Sequence, residues 1–394
     1  MAKERARRTA MVRIQEGKAS IAIPPKVGVA VSSEMAVFYN PVMKSNRDIT
    51  ILILQAARGL YAAKPWTIAD PMAATGIRGI RIALELPARD VEEIAMNDFS
   101  SAAVKLMKKN LRLNRIAGSK VSISVNEANK FLLSGPSRNY IDVDPFGYPG
   151  PFLDSAIRRL QYNGILAVTA TDTSALSGSS PNACRRKYLA APLRNGFMHE
   201  TAARIMVRLV QLIGSIHGKA LIPVFSYSKE HYCRAFFLCK TGAHRIEALL
   251  DQHQELRYCA ACTNRKAGPA APACDNCGEP WVVAGPVWVG RLFDERLAKA
   301  IAASALENGF IDEKTRSFLE VVAGEAAAES ATGVGFFAIE DICETFKVAR
   351  QPSPRVVRTR LQRAGFVVSP THCSTTGIKT SAPAKQVIAA VRQG

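Results

Sequence analysis

The sequence predicts an α/β protein: a doubly wound sheet of parallel strands, followed by a C-terminal α+β domain with a four-cysteine site of zinc-ribbon type. Three observations predict it. Short apolar runs alternate with helical segments between residues 66 and 171. Several of those runs end on an acidic residue, as at Asp70, Asp98 and Asp144. Four cysteines stand apart in two closely spaced pairs, at 259–262 and 274–277. Strand–helix repeats of this length imply parallel strands joined by right-handed crossovers. A chain of 394 residues is also long enough for two cores.

The elements follow in order. Residues 1–20 read as a basic arm, and 21–50 as short extended pieces and a loop leading to a helix near 48–61. "WTIADP" (66–71) is a strand ending at Asp70, and "GIRGIRIALEL" (76–86) is a helix. "VEEIAMND" (91–98) is the next strand, followed by a helix, "SSAAVKLMKKNLRLN" (100–114), with Val104, Met107 and Leu111 at helical spacing. "VSISVNE" (121–127) and "YIDVD" (140–144) are strands, "PFLDSAIRRL" (151–160) is a helix, and "GILAVTAT" (164–171) is a buried strand. A long helix spans about 200–217. The runs 219–228 and 231–239, two residues apart, read as a hairpin. A parallel sheet finished by such a hairpin fits the methyltransferase variant of this architecture, and puts the first domain at 1–240. The second, 241–394, holds the cysteine cluster (257–280), an Ala-rich helical stretch (294–328) and a segment rich in helix and turn signals.

Composition narrows the function classes. Hydrophobic residues make up 48% and charged residues 22%, an ordinary globular balance. The sequence offers no apolar stretch of bilayer length and no signal-peptide pattern, so the expectation is a cytoplasmic protein with no membrane partner. The 52 Lys and Arg against 33 Asp and Glu give a net charge of +19. Such an excess favours polyanions, because each phosphate neutralised by a cation releases a counterion. Nine cysteines, an odd number, argue against a disulfide framework.

Several motifs carry chemistry. In "ADPMAATGIRGIR" small residues and two glycines follow a strand and open a helix, around Asp70, Thr75 and Gly76. Backbone N–H groups there approach a ligand closely, and the helix N-terminus attracts negative charge. The spacing is not the dinucleotide G-x-G-x-x-G, and Arg78 faces a carboxylate better than a pyrophosphate. S-adenosylmethionine carries a free carboxylate, which NAD lacks. An ordinary strand–helix turn remains the alternative. Asp98, at the end of the second strand, suits a pair of ribose hydroxyls. Glu127 and Ala128, at the end of the third, suit an adenine ring, and Glu127 suits a helix cap equally well. Asp144 ends the fourth strand in "NYIDVDPFG". A carboxylate there could accept an amine N–H, free the nitrogen lone pair and take the proton. Pro145 lacks an N–H and holds its carbonyl as a second acceptor. Phe146 offers a face for a flipped-out base. In "FYNPVMKSNRD", Phe38 and Tyr39 read either as the opposing face or as a core pair, and Arg47 as a grip for a carboxylate or phosphate.

Cys259, Cys262, Cys274 and Cys277 form two C-x-x-C knuckles, the spacing of a tetrahedral structural zinc site. The remaining cysteines read as packing residues.

Together, "EGKASIAIP", "FYNPVMKSNRD", "DPMAATGIRGIR", "MNDFS", "NEANKFL", "DVDPFG" and "AGFVVSPTHCSTTGIKTSAP" resemble the ordered motifs of the tRNA (guanine-26-N2)-dimethyltransferases, the archaeal type especially. The resemblance implies a class I S-adenosylmethionine-dependent fold with a tRNA-binding C-terminal domain. It places Arg47, Arg78, Asp98, Glu127 and Ala128 at the cofactor, Asp144 as the catalytic aspartate, and Phe38 and Phe146 beside the base. The family's third-strand motif usually has Asp where this chain has Glu127. The resemblance names tRNA as the partner, gives no sign of an obligate protein partner, and matches the cysteines to a zinc-binding insertion. Two rivals stand beside it. A DNA amino-methyltransferase would carry a second proline where this chain has Phe146. A nucleic-acid-binding zinc protein with an inactive sheet would not bind S-adenosylmethionine.

Overall fold

A computed structural model describes residues 11–24, 37–61, 64–116 and 118–393. The chain divides into two compact units, one of residues 1–168 and 300–316, the other of 169–299 and 317–394.

The first unit begins where a basic arm was expected. Residues 1–10 lie outside the described residues, but strands β1 (Val12–Glu16) and β2 (Ala19–Ile23) pair antiparallel across Gly17. Gly17 has φ +56°, and a Cβ there would lie 2.2 Å from Glu85 Oε1, so both the turn and the close approach require glycine. Helix α1 (Lys44–Leu60) follows, starting four residues before its expected position.

The doubly wound part then runs β3 (Trp66–Asp70), α2 (Ile77–Glu85), β4 (Val91–Asp98), α3 (Ser101–Leu113), β5 (Val121–Val125), α4 (Ala128–Ser134), β6 (Arg138–Val143), α5 (Gly150–Arg159) and β7 (Leu160–Ala170). These strands are parallel, in the order β5-β4-β3-β6-β7. The chain moves outward from β3 to β5, then returns to β6 on the other side of β3. That reversal opens a crevice at the carboxyl ends of β3 and β6, where ligands bind in such sheets. Tyr140, Ile141 and Val143 of β6 are fully buried, as are Ile165, Leu166, Ala167 and Val168 of β7. Burial on both faces is what helices on both sides of a parallel sheet produce. Each buried Val, Leu or Ile side chain among them contributes roughly 1.5–3 kcal/mol.

The Ala-rich stretch expected at 294–328 is two helices, α10 (Glu295–Glu307) and α11 (Glu313–Thr332). Asn308 and Gly309 break it, and Asp312 Oδ1 restarts it by accepting from Thr315 N at 2.8 Å. Both helices cross the unit boundary.

The second unit contains α6 (Thr173–Leu176), α7 (Pro181–Tyr188) and α8 (Met198–Ile216), then the hairpin β8 (Lys219–Lys229) and β9 (Tyr232–Thr241). After α9 (Ala243–Leu250), strands β10 (His253–Tyr258), β11 (Arg265–Ala267) and β12 (Val282–Trp288) form an antiparallel sheet in the order β11-β10-β12. The four clustered cysteines sit in its loops. The last part runs β13 (Phe337–Ala338), α12 (Ile339–Thr345), α13 (Pro354–Arg363), β14 (Val368–Thr371), β15 (Ser374–Thr380) and α14 (Ala384–Arg392). Its core packs Ile342, Val357, Leu361, Ile378, Val387 and Val391 together. Among the described residues, no helix is long and apolar enough to cross a membrane.

Candidate active site

The crevice is built by the turn after β3. Ala73 N donates to Asn97 O at 2.8 Å, and Ala74 N to Asp98 Oδ2 at 2.9 Å. Asn97 Nδ2 donates to Pro71 O at 3.0 Å and to Asn126 O at 2.9 Å, tying the ends of three strands together. Gly76 caps α2 with φ +76°, and a Cβ there would meet Met107 Cγ at 2.6 Å. Thr75 is buried behind the turn, its carbonyl accepting from Asn110 Nδ2.

Arg78 lies in the first turn of α2, buried. Its Nη1 donates to Asn46 Oδ1 and Thr50 Oγ1, each at 3.0 Å, one turn apart on α1. Its Nη2 donates to Asp144, and its Nε lies 3.4 Å from Asp142 Oδ2. Asp142 is fully buried and also accepts from the Tyr140 hydroxyl at 2.6 Å. Asp70 belongs to the same group. Burial pushes its pKa up to about 7; Arg78 opposes that, while Asp142 and Asp144 reinforce it. Three carboxylates thus share one guanidinium. Asp144 is the one that reaches solvent, its side chain 19% exposed.

Phe146 is 54% exposed, and its ring meets that of Phe38 edge to face, with centroids 4.4 Å apart. The two rings expected to hold a base touch each other, and no base fits between them as they stand. Tyr39 is the buried partner of the pair read from sequence: its hydroxyl donates to Glu16 Oε2 at 2.9 Å.

Asp98 is buried, with one oxygen taken by Ala74 N and the other by Ser100 N at 2.9 Å. Each oxygen keeps a further lone pair for a hydroxyl. Glu127 caps α4, accepting from Asn129 N at 3.0 Å and Lys130 N at 2.9 Å. The Asn129 N–H leads the interactions that lower its pKa. Ala128 is buried beside it. Arg47 forks onto Glu16, Nε to Oε1 at 2.7 Å and Nη2 to Oε2 at 2.6 Å. Arg81 meets the same Glu16 at 3.1 Å, Asp48 at 2.6 Å and Glu85 at 2.7 Å. Burial works to raise the Glu16 pKa, but Arg47 and Arg81 hold it down at about 2.

Sequence reading missed Asp142 and Glu16. Asp142 had a signal: it is two residues before Asp144 and therefore on the same face of the strand. Glu16 had none beyond its place in "QEGKASIAIP", since its partners lie 31 and 65 residues away.

The strand-end donor set suits S-adenosylmethionine. Asp98 offers acceptors for ribose hydroxyls and the glycine at 76 a turn without a Cβ, while Arg78, the cation expected for a carboxylate, is here taken by Asp144 and Asp142. In the second unit, the four cysteine sulfurs lie within 4.8 Å of one another, Cys259 and Cys277 at 3.4 Å, Cys262 and Cys274 at 3.6 Å. Tetrahedral Zn–S bonds of ~2.3 Å put sulfurs roughly 3.8 Å apart, so the four thiolates fit a structural zinc ion.

Comparison with known proteins agrees with this geometry. The profile of the N2,N2-dimethylguanosine tRNA methyltransferase family matches residues 17–392. The tRNA (guanine(26)-N(2)/guanine(27)-N(2))-dimethyltransferase of Aquifex aeolicus is 37% identical over 90% of this chain and 92% of its own. The tRNA (guanine(26)-N(2))-dimethyltransferase of Methanocaldococcus jannaschii is 35% identical over 96% of this chain and 98% of its own. Among solved structures, Trm1 from Pyrococcus horikoshii in complex with S-adenosyl-L-methionine superposes with a TM-score of 0.83 at 32% identity, covering 96% of this chain and 99% of that one.

Proposed function

The chain belongs to the N2,N2-dimethylguanosine tRNA methyltransferase family, and from that membership we infer how its own residues act. It is an S-adenosylmethionine-dependent enzyme that methylates the exocyclic N2 amine of a guanine in tRNA. We propose guanine 26 as the target, receiving one methyl and then a second. The observation that supports this most is the position of Asp144: at the carboxyl end of β6, beside the reversal of the sheet, with Arg78 on one side and Phe146 two residues on.

S-adenosylmethionine, when bound, supplies an electrophilic methyl group on a sulfonium. The chain holds it through Asp98 at the ribose, Glu127 and Ala128 at the adenine, Arg78 at the carboxylate, and the turn of Asp70, Thr75 and Gly76. Glu127 already caps a helix, so it meets the adenine edge with its remaining lone pairs. Arg47 supports this end through Glu16 and the start of α1. Asp144 exchanges Arg78 for the guanine amine, accepts an N–H, turns the nitrogen lone pair out of conjugation and takes the proton. The Pro145 carbonyl is the second acceptor, and the rings of Phe38 and Phe146 part to hold the base. Residues 1–240 make up the functional methyltransferase region. Residues 241–394, stiffened by zinc on Cys259, Cys262, Cys274 and Cys277, bind tRNA with the basic surface of the chain.

The test is mass spectrometry of nucleosides from a tRNA transcript incubated with the protein and S-adenosylmethionine. Monomethylated and then dimethylated guanosine at position 26 is the expected result. Unmodified tRNA, with the cofactor bound, overturns the reading.

A further inference from the structure

Away from the strand ends, the second unit holds a cysteine, a histidine and a glutamate in series. Cys373 Sγ lies 3.3 Å from His372 Nε2, and His372 Nδ1 lies 2.7 Å from Glu325 Oε2. We propose that Cys373 is an activated thiol, a modification site for hydroperoxides and other soft electrophiles, with His372 as its base and Glu325 as the group that orients the base.

The ring cannot turn away from the sulfur. The His372 side chain is 1% exposed, and the rings of Phe293 and Phe318 meet it edge-on, with centroids at 5.9 and 5.8 Å. Glu325 also accepts from His372 N at 3.0 Å and Thr371 Oγ1 at 3.3 Å, so the carboxylate is itself fixed. Holding Nδ1–H on Glu325 turns the single Nε2 lone pair toward both the Cys373 thiol and the Ser228 N–H, which donates to it at 3.3 Å, so the thiol proton is taken in competition with that backbone donor. This is the nucleophile, base and orienter arrangement that activates a weak nucleophile. The charges around the ring favour the imidazolium. Burial works against it, but Cys373 and Glu325 hold the His372 pKa well above its ordinary value. The other groups in reach are Lys379, paired to Glu325 and Glu200, the like-charged His199 of α8, and the Cys233 thiol of β9.

The remaining thiols provide the contrast. Cys184, Cys233 and Cys239 are buried, and burial raises their pKa values. Cys343 is half-buried like Cys373, but burial and then Glu340 push its pKa up. Among the described residues, only Cys373 combines access, at the turn between β14 and β15, with a base.

With a hydroperoxide the step balances within the pair. The thiolate attacks the terminal oxygen, an S–O bond forms and the O–O bond breaks. Sulfur is oxidised by two electrons to the sulfenic acid, the peroxide is reduced, and the leaving oxygen takes its proton from the His372 imidazolium.

Peptide mapping of the zinc-loaded full chain tests this, with limiting iodoacetamide, or with hydrogen peroxide and dimedone. Cys373 should react about tenfold or more faster than Cys343 at pH 7. His372→Gln should bring Cys373 down to the Cys343 rate. If that variant does not fold, the ratio of the Cys373 and Cys343 rates in the unaltered protein decides. Equal rates or a dimedone adduct on another cysteine instead would overturn the proposal.

Discussion

Each unit buries a cluster of charges, and the two clusters are balanced differently. In the first unit Asp70, Asp142 and Asp144 share Arg78, three anions to one cation. In the second, Glu200, Glu325 and Glu329 interlock with Arg204, Lys379 and His372. Arg204 meets Glu200 at 2.8 Å, Lys379 meets Glu200 at 3.1 Å, and His372 meets Glu325 at 2.7 Å. Arg204 also donates to the carbonyls of Trp288 and Gly290. A matched set balances its charge and fixes how its helices and strands pack. An unmatched set leaves three carboxylates to divide one guanidinium, and the one that reaches solvent, Asp144, is at the crevice. The excess of negative charge lies at the crevice proposed as the site of chemistry, and the balanced cluster lies away from it.

The largest effect that would break this contrast lies at Asp144. Asp144→Asn should lower methyl transfer to tRNA by about 10²–10⁴-fold, the range for loss of a general base. Calorimetry should find S-adenosylmethionine bound as tightly or tighter, because Arg78 no longer has the Asp144 carboxylate to leave. Undiminished turnover would remove Asp144 from the mechanism.

Next comes the matched cluster. Lys379→Met leaves Glu200 and Glu325 short of a cation, and breaking such a buried set costs about 3–5 kcal/mol. Denaturant unfolding reads that directly. Unchanged stability would mean that the second cluster is not the structural one.

The pH dependence sharpens the contrast, because the two clusters respond with opposite signs. Asp70, at about 7, binds its proton more tightly folded than unfolded. Its contribution is therefore greatest below pH 4 and declines as the pH rises towards 7. Glu200 is held down to about 2: burial opposes the charge, but Lys379 and Arg204 outweigh it. Its contribution is present above pH 4.5 and is lost as the pH falls towards 2. Asp70→Asn should therefore stabilise the protein at pH 8 by on the order of 2–4 kcal/mol and hardly at all at pH 4. A pH-independent effect would contradict the shared-charge account of the site.

The smallest effect concerns the rim. Phe146→Ala should weaken the hold on the base by about 1–3 kcal/mol, the worth of one stacked ring, and so slow methylation of tRNA without altering cofactor affinity. Equal loss of cofactor binding would show that the ring shapes the crevice instead of holding the base.

The same contrast explains what could be read from the chain. Asp70, Asp98 and Asp144 were legible because each closes a short apolar run before a helix, a local pattern. The zinc knuckles were legible because their spacing is the signal. The partners of those groups were not. Arg78 reads as a lone cation for a cofactor carboxylate, yet in the fold it sits against Asp144 and Asp142. Glu127 was open between two roles, and here it caps a helix. The second cluster joins Glu200 to Gly335, 135 residues away, and Glu325 to Thr371, 46 away, and no periodicity encodes such pairings. The break at 308–312 escaped because Ala-rich helix formers flank it closely on both sides.

Glu16 sets a limit on how far the chain can be trimmed. It is the last residue of the first strand, and it answers two guanidiniums that otherwise belong to the helices framing the crevice. Any deletion that removes this one carboxylate would set Arg47 and Arg81 competing for Asp48 and Glu85. The front edge of the crevice is thus held by a residue whose carboxylate is spent on Arg47, Arg81 and Tyr39.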